Sequence, residues 1–115
     1  MTDAKQIKDL VALYEKYGWT LRRVLLSAEL RAALGTETAA IFGIAAIETS
    51  DINAAWFERR SQPGMAAWEL RLISNDPFAV VEVRHDGEDD EDWEIRVAEA
   101  EDRVRQRSVI RHSGH

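Results

Sequence analysis

Three runs of strand-type residues, Ile52–Arg60, Met65–Ser74 and Phe78–His85, follow one another, joined by Gln62-Pro63-Gly64 and Asn75-Asp76-Pro77. Proline fixes φ and removes a donor, glycine reaches left-handed backbone, and Asn and Asp bond their own turns, so both joints read as tight turns. A parallel return needs a crossover of a dozen or more residues. These connections are far shorter, so the three runs form an antiparallel meander around which the rest of the chain must pack. Alternation in the second run puts Trp68, Leu70 and Leu72 on one face and Glu69, Arg71 and Ile73 on the other. The stretch Ala54-Ala55-Trp56-Phe57-Glu58-Arg59 is echoed by Ala66-Ala67-Trp68-Glu69-Leu70-Arg71. The echo occurs once, which fits two neighbouring strands in similar surroundings better than a repeat architecture.

Helices are expected at both ends. Over residues 4–17, Ile7, Leu10, Val11, Tyr14 and Tyr17 recur at helical spacing, giving one apolar stripe. Asp3 with Gln6 forms a capping-box pattern, and Gly18 suits the left-handed stop. Over residues 88–107, Trp93, Val97, Ala100 and Val104 make a narrow core-facing stripe. Asp92–Arg96, Glu99–Arg103 and Glu101–Arg105 have the spacing of stabilising i,i+4 pairs.

Between the first helix and the meander the pattern is weaker. Trp19–Leu26 reads as a strand, although Leu21, Val24, Leu25 and Ala28 also fit a helical stripe. Ser27 and Gly35 bracket a short helix over Ala28–Leu34. Residues 36–47 suggest a turn or short helix leading into a short buried strand near Ile44–Glu48. The expected fold is α+β, a mainly antiparallel sheet of four to five strands with the N- and C-terminal helices packed on one face. Residues 1–107 would form this single domain, with 108–115 a frayed tail.

Composition narrows the chemistry. The chain has no cysteine, which removes thiolate catalysis, disulfides and Cys-built metal sites. The opening MTDAKQIKDL is polar, unlike a signal peptide, and the longest apolar run is nine residues, Ala39–Ile47. A membrane helix needs about 20, so a cytoplasmic protein without membrane attachment is expected. The net charge is −6, concentrated after residue 85, where ten acidic residues face five basic ones. That balance argues against a nucleic-acid partner, which favours a basic surface.

The acidic run Asp86–Glu94 lacks the calcium-loop spacing: its glycine comes second, and Val97 stands where the bidentate Glu is required. Acids in a first helical turn, with Arg103, Arg105 and Arg107 at the far end, fit the helix dipole instead. His85 adjoins Asp86, but neighbouring strand residues point to opposite faces. Ser50, Ser61 and Ser74 have no base at a recognisable spacing. No catalytic residue, metal site or cofactor is therefore expected.

Arginine outnumbers lysine twelve to three, and Arg22, Arg23, Arg59, Arg60, Arg71 and Arg84 lie on or beside strands among Glu58, Glu69 and Glu82. They fit either a solvated face of cross-strand ion pairs or a clamp for an anion. Aromatic residues and arginine together are also the usual anchors of protein interfaces. Trp56, Phe57, Arg59 and Arg71 are thus the expected interaction face.

The segments GWTLRRVLL (18–26), AAWF (54–57), AAWELRLIS (66–74) and PFAVVEV (77–83) resemble an uncharacterised family of small bacterial proteins. That resemblance implies no activity. In outline, a small acidic domain with a curved sheet and flanking helices is similar to secretion chaperones, a likeness of fold alone. The expectation is a non-catalytic protein-interaction module that forms a homodimer or binds a protein partner. A small-anion binder or small enzyme using the strand arginines is the alternative.

Overall fold

The structure, a computed structural model, describes the backbone of residues 3–113 and the side chains of residues 3–108. The chain runs α1 (Ala4–Lys16), β1 (Thr20–Leu26), α2 (Ala28–Leu34), α3 (Glu37–Phe42), β2 (Ala46–Thr49), β3 (Ala54–Gln62), β4 (Met65–Leu72), β5 (Ala79–His85) and α4 (Asp90–Ser113). It is an α+β fold with one five-stranded sheet in the order β2-β1-β3-β4-β5. The meander is present, β3, β4 and β5 pairing antiparallel in sequence, and β1 pairs antiparallel with β3.

Local chemistry sets the element ends. Asp3 and Gln6 complete a reciprocal capping box, the Gln6 amide donating to Asp3 Oδ1 at 2.9 Å and the Asp3 amide to Gln6 Oε1 at 3.0 Å. Gly18, at φ +89°, turns the chain from α1 into β1, a conformation other residues adopt only at a cost. Ser27 Oγ accepts from the Leu30 amide at 3.1 Å and starts α2.

The structure corrects the sequence reading at four places. First, β2 is an edge strand with no buried residue, and it pairs parallel with β1. Helices α2 and α3 form the crossover that a parallel pair requires. Second, the terminal helices lie on opposite faces of the sheet. Helix α4 packs on β4 and β5, and α1 packs on β1 and α3.

Two cores result. Leu25, Trp56, Leu70 and Val80 meet Trp93, Val97, Ala100 and Val104 of α4. Val24, Leu26, Ala55 and Phe57 meet Ile7 and Val11 of α1, together with Leu34, Ile41 and Phe42. Burial on both faces explains why Ala54–Phe57 is buried at every position instead of at alternate ones.

Third, α4 starts at Asp90 and its backbone helix continues to Ser113, beyond the Arg107 at which the sequence pattern stops. The side chains of 109–113 and all of residues 114–115, including the end of the expected tail, lie outside the described residues. Fourth, two arginines of α4 find tertiary partners. Arg96 bonds Glu88 and Glu82 at 2.6 and 3.0 Å, and Arg105 bonds Asp51 at 2.7 Å as well as Asp102. The β5 glutamate Glu82, Glu88 of the β5–α4 connection and the β2–β3 turn carboxylate Asp51 lie within their reach, and charge-assisted bonds to these partners hold the helix to the sheet. No helix among the described residues is long and apolar enough to cross a membrane.

Candidate interaction face

Register decides which predicted residues share a surface. In antiparallel pairs, residues opposite one another point to the same side. Phe57 lies opposite Glu69, and Glu69 opposite Val81. The flanking rows are Ala55–Arg71–Ala79 and Arg59–Ala67–Val83. All three rows look towards the α1 side of the sheet. Trp56 belongs to the other face, in the row Trp56–Leu70–Val80.

The four residues read from sequence as one interaction face are therefore divided. Phe57, Arg59 and Arg71 share a side, and Trp56 does not. Trp56 and Phe57 are also 1% and 0% exposed, so both are core residues and offer no contact surface. Trp56 stands edge-on to Trp68, ring centroids 6.2 Å apart, and donates its indole N–H to Glu101 at 3.0 Å.

Exposure rises away from α1 along two of the rows, Phe57–Glu69–Val81 and Ala55–Arg71–Ala79. Phe57 is covered by Tyr14, whose ring stacks on it at 4.1 Å. Glu69, half-buried, accepts a hydrogen bond from the Tyr14 hydroxyl. Burial, then that bond and the Glu69 charge, push the Tyr14 phenol well above its ordinary pKa. At the outer end Val81 is 53% exposed.

Helix α1 thus reaches as far as β4 and stops, while α4 covers β4 and β5 from behind. The α1-side half of β4 and β5 is an open shelf of Ala67, Ala79, Val81 and Val83, with Glu69 and Arg71 set into it. The α1 wall beside the shelf carries Leu13 and Tyr17, 51% and 60% exposed. Leu10, Leu13, Arg71 and Ile73 line a cleft of about 330 Å³ where wall and shelf meet.

The strand arginines are mostly engaged. Arg22 bonds Glu58 at 2.8 Å, Arg23 bonds Glu48 at 2.6 Å and Arg84 bonds Asp90 at 2.6 Å. Arg71 donates to the Leu72 carbonyl at 3.0 Å, and Arg60 approaches Asp86 at 3.9 Å. Arg59 stands over the Trp19 ring at 6.0 Å.

The acidic run behaves as a helix start. Asp90, Glu91 and Asp92 occupy the first turn of α4, and Glu88 is held below the usual carboxylate range by its hydrogen bond from Arg96. Asp51 is lowered likewise by Arg105. No group of three or more potential ligands among the described residues is placed to hold a metal ion. Ser50 and Ser74 use their hydroxyls within their own turns.

No family model matches the chain, and no curated protein or solved structure matches it.

Proposed function

We propose that the protein is a non-catalytic interaction module that self-associates through the α1-side shelf of β4 and β5. The observation that carries this reading is the staggered placement of α1 and α4. It leaves Val81 half exposed on the outermost strand β5, on the same side of the sheet as the exposed Leu13 and Tyr17 of the α1 wall. Large exposed apolar residues are unremarkable singly, but grouped beside a flat shelf of small residues they mark a contact surface. Glu69 and Arg71 lie two positions apart on β4. A two-fold axis through this strand would set each against its opposite in the second copy, making the shelf self-complementary.

The test is Val81→Glu. Val81 is on the surface of the single chain, so the variant should fold with an unchanged circular dichroism spectrum, losing only the part of its melting temperature that association supplies. Sedimentation velocity should show the wild type as a dimer and the variant as a monomer. A variant that sediments like a dimeric wild type would place the contact elsewhere.

A further inference from the structure

At its far end β3 outruns its neighbour. Thr20, the first residue of β1, lies opposite Glu58, while β3 continues to Gln62 with β4 alone as partner. Residues 59–62 therefore present an unpaired strand edge about 13 Å long at ~3.3 Å per residue. Alternate residues along it turn their N–H and C=O groups towards the empty side. The space beside this edge is a notch of about 400 Å³ lined by Gly18, Thr20, Arg22, Glu58, Arg59 and Arg60.

Two features keep the notch open and positive. Gly18 stands at φ +89°, a backbone that strains any larger residue, and so leaves the floor of the notch without a side chain, 3.8 Å from Arg59 Nε at the point where a Cβ would lie. Three arginines share the notch with one carboxylate, in a chain whose net charge is −6. Arg22 is matched by Glu58 at 2.8 Å, and Arg60 is only loosely approached by Asp86 at 3.9 Å. Arg59 makes no ion pair among the described residues, and its guanidinium is steadied over Trp19. Arg59 and Arg60 are consecutive strand residues, so they flank the edge one on each face.

From this juxtaposition we infer that the notch binds an acidic peptide in extended form, added as a short strand to the free edge of β3. Main-chain hydrogen bonds hold the peptide. Arg59 on one face and Arg60 on the other select carboxylates at neighbouring positions. A lone oxyanion would use the arginines and leave the strand edge unsatisfied, so the open edge favours a peptide. The notch opens on the free edge of β3, away from β4, and adjoins the shelf only where Arg59 lies opposite Ala67, so the inference does not rest on self-association.

Calorimetric titration of the full chain at low salt tests the inference. The probe is the blocked peptide Asp-Glu-Val-Glu-Asp, compared with the same peptide N-methylated at alternate residues and with inorganic phosphate. The expected result is saturable one-to-one binding of the first peptide. Arg59→Ala should weaken it about tenfold, or ~1.4 kcal/mol, and N-methylation should abolish it. Arg59 is exposed, so the variant should fold, and the methylated peptide needs no variant. The inference is overturned by an absence of saturable binding, by equal binding of the methylated peptide, or by an unaffected Arg59→Ala. Phosphate binding that displaces the peptide completely would identify a simple oxyanion site instead.

Discussion

At the residue scale, burial and partners decide what each substitution does. Val97 is 5% exposed on the α4 stripe, so Val97→Asp places an unpaired charge against Trp93 and Val80. The expected loss is about 3–5 kcal/mol, read by thermal denaturation. A variant melting within a degree or two of wild type would mean that α4 contributes nothing to the core. Tyr14 gives a pH-dependent counterpart. Its raised pKa means that the folded state holds the phenolic proton more tightly than the unfolded chain does. That stabilisation is complete below about pH 10, the unfolded tyrosine value, and is lost as pH rises towards the folded one. Tyr14→Phe should cost about 1–2 kcal/mol at neutral pH through the lost bond to Glu69, and urea titrations should show a flatter alkaline decline. An unchanged alkaline limb would mean that burial and Glu69 do not raise the Tyr14 pKa in the folded protein.

At the element scale, the sequence was most readable where one short-range rule decided the outcome. The capping box at Asp3, the Ser27 cap, the Pro63-Gly64 turn and the Trp93–Val104 stripe all appear as the local chemistry requires, whereas the Asn75-Asp76-Pro77 joint widens into a six-residue loop between Leu72 and Ala79. The strand β1, ambiguous by pattern, is settled by its pairing on both sides. What escaped were partner choices. Strand β2 has only four residues, too few for alternation to show whether it is buried or which neighbour it takes. The opposite placement of the helices did leave a signal. Val24-Leu25-Leu26 and Ala54–Phe57 are apolar without alternation, as strands covered on both faces should be.

The two outermost strands of the sheet, unlike the free end of β3, are guarded. Strand β2 is short, and on β5 the Val83 carbonyl accepts from Arg96 Nη2 at 2.6 Å while Glu82 and Glu88 hold the same guanidinium. Such guards discourage edge-to-edge pairing and leave the shelf as the contact surface. Arg96→Ala should therefore lower stability by roughly 1–2 kcal/mol and increase light scattering on heating. A variant as stable and as clear as wild type would show that the guanidinium does not protect this edge.

For the whole molecule, the same stagger that builds two cores from one small sheet also leaves the shelf bare. The expected interaction face was sought where tryptophan and arginine cluster in sequence, yet Trp56 and Phe57 went to the two cores. Arg71 stayed on the open face because α1 ends its reach at Glu69. Sequence pattern could place these residues on strands, but it could not say how far a helix would extend across them. The central claim, self-association through that shelf, is tested most directly by sedimentation equilibrium of the wild-type chain across micromolar loadings. The account predicts a mass near twice the 13.1 kDa of one chain, falling towards it only on dilution; 13.1 kDa at every loading would contradict it.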